Sequence, residues 1–482
     1  MSQPKLIQVQ KDASAPARSL ILAGGGVRLA YQAGVLQALQ EKGLQFNHVD
    51  GTSGGIFNTA MLASGLNPDE MCSRWRSLKV NHFMSLRPAK SYLRLASMMA
   101  FGDADGIRQK VFPHLGIDLQ KIRANEDICA TFNVCNFTHK SIEAISHRQV
   151  TEDHLIAGVS LPIFMPAIKI HEDWYSDAVW IKDANLIEAV RRGAEEIWLV
   201  WAIGNTKDYV PGFFNQYVHM IEMSANGGLL EEYAQINMLN ERIAAGESPY
   251  GQRSPIRLHV IKPEYPLPLD PDLFFNKIDT GTLINMGYVD ALKYLDSFRE
   301  EGVPFDALST RMKEPGNQFT FRQQYEAELE FDGKKSHVAY YPSFTYRETK
   351  GQFAIHMVSS LFVEALEREI CTKENKVKLI KHDKASYLEM DSTFVHKEQT
   401  YYLKASIRLQ SLTNWLLGLE FKSVRLQIFD DKQQLLAEGY LRQSAGSRLK
   451  QLFNTKLTVN GKGGIHWKQK YQMISKLYTN EI

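Results

Sequence analysis

Ser19-Leu-Ile-Leu-Ala-Gly-Gly-Gly-Val-Arg-Leu-Ala-Tyr-Gln-Ala-Gly-Val-Leu36, followed soon after by His48-Val-Asp-Gly-Thr-Ser-Gly-Gly55, is the stretch on which the fold turns. Leu20 to Ala23 is a short apolar run that stops at Gly24-Gly-Gly26, and Leu29, Ala33, Leu36 and Leu39 then recur at helical spacing as far as Gly43. That pattern predicts a strand, a glycine turn and a helix. His48 to Asp50 closes a second short strand, Gly51-Thr-Ser-Gly-Gly55 makes its turn, and Ile56 to Ser64 reads as a helix of small residues ending at Gly65. Two such units within so few residues predict an α/β fold.

Outward from this stretch, the strand and helix signals continue. Asn67 to about Leu119 is mostly helical in texture but irregular, with Trp75, Phe83, Met84, Leu93, Met98, Met99 and Phe101 interleaved with Arg74, Arg76, Arg87, Lys90 and Arg94. The same composition fits a lipid-facing lid or a helical cap packed on the core, and both readings stand. Ile128 to Val134 and Ser141 to Ser146 flank a polar turn and predict a hairpin. Thr151 can cap the helix that follows, and Ile197 to Ile203 suits a strand buried on both faces. A long helix from about Gln216 to Ala245, a strand at Ile256 to Ile261 and a helix from Thr280 to Arg299 complete the alternation.

After Gly302 the texture changes to short alternating runs rich in Tyr, Phe, Val and Thr, with Asp332-Gly333 and Asp430-Asp-Lys432 as hairpin turns. The expected organisation is an arm at 1–17 without periodic pattern, an α/β domain over 18–305 and a smaller mainly-β domain over 320–482.

The composition sets the class. The chain has 482 residues, 44% hydrophobic and 23% charged, which excludes a disordered or coiled-coil chain. No apolar run approaches the ~20 residues of a bilayer-spanning helix, and the first 19 residues have no apolar core like that of a signal peptide. The expected setting is cytoplasmic. Cys72, Cys129, Cys135 and Cys371 are too scattered for a disulfide framework or a paired zinc motif. Up to residue 320 there are 31 Lys and Arg against 36 Asp and Glu, a balance of −5; after it there are 25 against 18, or +7. A basic C-terminal third can face an anionic membrane or a nucleic acid, although a solvated surface with no partner is the commoner explanation.

Gly51-x-Ser53-x-Gly55 between strand and helix is the spacing of a nucleophile elbow, in which small neighbours let a serine stand on a tight turn with the helix N-terminus behind it. Alone it also fits a turn with a helix-capping serine. Gly24-Gly-Gly26 at the preceding strand end offers unhindered amides to an anion; it lacks the Gly-Lys-Ser/Thr ending of a phosphate loop and the spacing of a dinucleotide fingerprint, so an oxyanion hole fits better. A serine needs a base, and a carboxylate bonded to it can serve if burial raises its pKa. For a histidine-containing triad, His219 and His259 are the well-placed candidates, and His259 sits on a predicted core strand where packing explains it.

Taken together, Gly24 to Leu36, Gly51 to Gly55, and Ser160-Leu-Pro-Ile-Phe-Met-Pro166 leading into Tyr175-Ser-Asp-Ala178 resemble the patatin-like phospholipase domain. The resemblance runs from about Arg18 to Arg299. It implies a three-layer α/β/α sandwich and a Ser-Asp dyad: Ser53 as nucleophile, Asp177 as base, the amides of Gly24, Gly25 and Gly26 as oxyanion hole, and Arg28 and Gly54 in support. Asp173 and Asp183 are the rival carboxylates, set aside because Asp177 alone sits in the motif. Leu29 and Ala178 stand where the family usually has glycine. The implied activity is a lipid acyl hydrolase on phospholipid or lysophospholipid esters, with peripheral membrane contact, no cofactor or metal, and no nucleic acid. A homo-oligomer or a regulatory ligand stays open. A serine acyltransferase and a non-catalytic lipid-binding protein are the alternatives.

Overall fold

A computed structural model describes residues 5–8, 16–79, 82–83, 85–86, 102–267, 279–349, 352–382, 385–409, 421–444, 456–459, 462–463 and 475. The chain forms two compact units, Met1–Asp270 with Asp290–Lys313, and Pro271–Val289 with Glu314–Ile482.

The first unit is built on an eight-stranded mixed sheet: β1 (Arg18–Leu22), β2 (His48–Thr52), β3 (Ala130–Asn136), β4 (Ser141–Ser146), β5 (Ile168–Ile170), β6 (Asp173–Asp177), β7 (Glu196–Val200) and β8 (Arg257–Ile261). Their order is β8-β7-β1-β2-β3-β6-β5, with β4 also paired to β3. The five strands from β8 to β3 run parallel, and β4, β6 and β5 add antiparallel pairs. Strands buried on both faces need apolar residues at successive positions, and β1 and β7 supply them. Ile21, Ile197, Leu199, Leu258 and Val260 pack on one face with Ala189 and Val190 of the helix Leu186–Arg191 and with Ala225, Leu229, Tyr233 and Ile236 of a long helix. On the other face Trp198 stacks on His259 and Phe298, with ring centroids 4.4 and 5.8 Å away. His259 is therefore a packed core side chain, as its strand position predicted.

Helices α1 (Ala30–Glu41), α2 (Gly55–Ala63), α3 (Pro68–Ser77) and α4 (Phe213–Ala244) follow the apolar periodicity. Asn67 and Glu70 form a capping box at the start of α3, and Thr151 caps the short helix Glu152–Gly158. At the N-terminus the structure corrects the reading of a loose arm. Leu6 and Ile7 are buried, and Ile7 bridges to Phe46 in parallel. The apolar pair is too short to register as a periodic element, yet long enough to cover Phe46. Of the stretch read as either a lipid-facing lid or a packed cap, Trp75 and Phe83 are core: Trp75 is fully buried and stacks on Phe83 at 6.2 Å. Met84, Arg87, Lys90, Leu93, Arg94, Met98, Met99 and Phe101 lie outside the described residues.

The second unit is a twelve-stranded, wholly antiparallel sheet. The strand Gln399–Leu409 shows why: Tyr401, Leu403, Ala405, Ile407 and Leu409 face the core while Lys404 and Arg408 face outward. The predicted hairpin turns form. Asp332 and Gly333 both adopt positive φ, 50° and 72°, as a two-residue turn between twisted strands requires. Asp430 Oδ1 accepts from the amides of Lys432 (2.9 Å) and Gln434 (2.7 Å) in the second turn. Residues 279–289, which the sequence texture assigned to the α/β domain, group with this unit: Thr282 and Asn285 bond the hydroxyls of Ser343 and Ser360.

Candidate active site

The sheet register places the site. β4 pairs along β3 from Thr131 to Asn136 and so occupies one whole edge of it. The other edge is shared end to end: β2 pairs as far as Thr52 with Asn133, and β6 begins at the next position, Asp177 with Val134. Two strands that meet on one edge bring their ends together, so Ser53, one residue past Thr52, meets Asp177 although 124 residues separate them. Ser53 Oγ donates to Asp177 Oδ2 at 2.7 Å. Asp173, one of the rival carboxylates, lies elsewhere, accepting from Asn136 at 3.1 Å.

Ser53 has φ of +51°, the left-handed region, which costs about 1–2 kcal/mol for a residue with a side chain. The turn tolerates this because its neighbours are glycines that the packing demands. A Cβ on Gly55 would lie 2.0 Å from the Leu22 carbonyl oxygen, one on Gly51 2.4 Å from Thr59 Oγ1, and one on Gly54 2.7 Å from Gly26 O. Leu29 fills the space against Gly54 and is fully buried, so the residue that departs from the family's glycine is a core side chain. The amides at the start of α2 lie immediately behind Ser53, with Ile56 N donating to Ser53 O at 3.1 Å.

Asp177 is 1% exposed. Its Oδ1 accepts from the Val179 amide at 2.9 Å, which holds the carboxyl in one orientation while Oδ2 receives the serine. Burial pushes its pKa up to about 7, against the opposing pull of the hydrogen bonds from Ser53 and Val179. Ala178 is buried and opens the turn that presents Val179, so alanine is accommodated there.

In the glycine turn, Arg28 Nε donates to the Gly25 carbonyl at 2.8 Å. A trans peptide directs its N–H opposite to its C=O, so this bond turns the Gly26 amide away from Arg28. The structure corrects one part of the expected oxyanion hole. Gly24 N–H donates to Asp183 Oδ2 at 3.0 Å, so that amide is already committed and Gly25 and Gly26 remain.

Sequence reasoning missed the layer beneath. Asp50 accepts from Thr131 Oγ1 and Asn133 Nδ2, each at 2.5 Å, and burial raises its pKa to about 7. Asn133 also reaches Thr52 Oγ1 at 2.9 Å and accepts from Asn185 at 2.8 Å. An acidic residue directly before Gly51, in a short strand leading into the glycine-flanked serine, was the available signal. His219 pairs with Glu222 at 3.0 Å and stacks on Tyr209, and neither it nor His259 is bonded to the serine. Among the described residues no group of three His, Cys, Asp or Glu side chains is placed to hold a metal ion.

The model of the patatin-like phospholipase family matches residues 20–190. Those residues are a patatin-like phospholipase domain. The match spans both glycine motifs and Asp177. Among solved structures, the crystal structure of VipD from Legionella pneumophila is similar at 13% identity, with a TM-score of 0.34 over 62% of this chain and 71% of that one. No curated protein matches the sequence. No helix among the described residues of the patatin-like domain or of the β unit is long and apolar enough to cross a membrane.

Proposed function

We propose that the protein is a serine acyl hydrolase that cleaves carboxylic esters of phospholipids or lysophospholipids through an acyl-Ser53 intermediate. The reading is carried by the 2.7 Å bond from Ser53 Oγ to a buried carboxyl inside a patatin-like phospholipase domain. Ser53 Oγ attacks the ester carbonyl as its proton passes to Asp177 Oδ2. The amides of Gly25 and Gly26 and the start of α2 meet the oxyanion. Collapse of the tetrahedral adduct breaks the ester C–O bond, and Asp177 returns the proton to the leaving alcohol. Water then gives a proton to Asp177 and attacks the acyl-enzyme; release of the fatty acid restores the proton to Ser53. A base titrating near neutrality is suited to both directions of transfer. Contact with the membrane would be peripheral.

The test is fatty-acid release from mixed phospholipid vesicles by wild type, Ser53→Ala and Asp177→Ala, with and without a divalent-cation chelator. Release by wild type that both substitutions abolish and the chelator leaves intact is expected. Release that survives both substitutions would overturn the dyad, and products formed only on adding an acyl acceptor would favour the transferase.

A further inference from the structure

Asp183 is completely buried. Its Oδ2 accepts from the Gly24 amide at 3.0 Å, and its main-chain oxygen approaches the same N–H at 3.4 Å. Its Oδ1 has no hydrogen-bond partner among the described residues. A Cβ placed on Gly24 would stand 2.1 Å from that Oδ1 and 2.8 Å from Ser53 Cβ. The carboxyl and the serine thus face each other across a gap that only glycine leaves open.

We propose that Asp183 is a positioning residue of the hydrolase: seated across Gly24 from Ser53, its carboxyl fixes the first peptide of the glycine turn and thereby sets the direction of the Gly25 and Gly26 amides. The inference rests on the acyl-hydrolase reading. Asp183 anchors the turn at its first glycine and Arg28 at its second, so the peptides between have little freedom. Its charge state matters equally. Two carboxyls around one serine in a buried site do not both ionise readily. Asp177 takes the charge, and burial together with that charge holds Asp183 well above the usual carboxylate range. A neutral Asp183 leaves the turn free of negative charge where the oxyanion must form; an ionised one would oppose it. The other charged group acting on Asp183 is Arg28, across the turn. Tyr217 from α4 and Cys135 from β3 face Asp177 instead, and burial raises both.

The test compares wild type, Asp183→Asn and Asp183→Ala for kcat, KM and the pH profile of kcat on phospholipid vesicles, with thermal unfolding as a check on folding. Asp183→Ala is expected to lower kcat on the order of 100-fold with KM within about twofold, the size of effect of a misplaced oxyanion donor. Asp183→Asn keeps an acceptor for Gly24 N–H but cannot ionise, so it is expected to keep the acid limb of the profile and lose the alkaline fall. If Asp183→Ala does not fold, the Asn profile decides. An unchanged alkaline limb in Asp183→Asn, or an Ala variant with wild-type kcat, would overturn the proposal while leaving the hydrolase reading intact. A wild-type enzyme without Ser53-dependent release would overturn both.

Discussion

Replacing Asp177 by asparagine should make the stability of the patatin-like domain less dependent on pH, with a net gain at alkaline pH, while abolishing hydrolysis. In the folded chain Asp177 titrates at about 7, against 3.8 for the ordinary side chain, because burial disfavours its charged form. Between these values the folded state binds more protons than the unfolded one, so this group's contribution to stability falls as pH rises from about 4 and levels off above about 7. Linkage puts the penalty at roughly 1.5 kcal/mol at pH 5 and roughly 4 kcal/mol at pH 8. Asparagine carries no such penalty. It keeps one acceptor for Ser53 or Val179 and loses the other, a loss of about 1–3 kcal/mol that does not vary with pH. The absolute change is therefore modest, but the gap between variant and wild type should widen by about 2.5 kcal/mol from pH 5 to pH 8. In thermal melts this is a relative gain of about 5 °C for the variant. Melting curves of the two proteins at both pH values measure it directly. Parallel shifts, with no widening of the gap, would mean that Asp177 is not held protonated by burial, and the account of its basicity would fail with it.

Two further outcomes follow from the elbow and the turn. Ser53→Gly and Ser53→Ala both lose the hydroxyl and should both be inactive, but only glycine relaxes the +51° φ; Ser53→Gly should be the more stable by about 1 kcal/mol, and equal melting temperatures would show that the turn is not strained. Arg28→Ala removes the side-chain donor to the Gly25 carbonyl, leaving only the longer main-chain bond from residue 28 at 3.2 Å, and should lower kcat on the order of 10-fold with little change in KM, whereas a rise in KM alone would assign Arg28 to substrate binding.

The parts of this molecule that were legible in sequence are those set by neighbours in the chain. The two strand-turn-helix units, the Asp332-Gly333 hairpin and the Thr151 cap each depend on residues within a few positions of one another, and each forms. Ser53 and Asp177 came from motifs rather than from periodicity, and the structure brings them within hydrogen-bond distance. What could not be read depends on register. Nothing local marks Asp183 as the partner of Gly24, or Asn133 as the bridge between Asp50 and Thr52, because those contacts exist only once strands far apart in the chain are laid side by side in the sheet. The N-terminal Leu6 and Ile7 were missed for a related reason: two residues carry no period, and only the presence of Phe46 makes them core.

The end-to-end junction of β2 and β6 on one edge of β3 also bears on how the candidate site is assembled. Closing a contact between segments so far apart in the chain carries a large loop-entropy cost, and such contacts tend to be made late. Helices can form and pack well before Ser53 meets Asp177. During refolding, recovery of ester hydrolysis should then lag behind recovery of helical signal. On the proposed reading, activity would appear only with the completion of the fold.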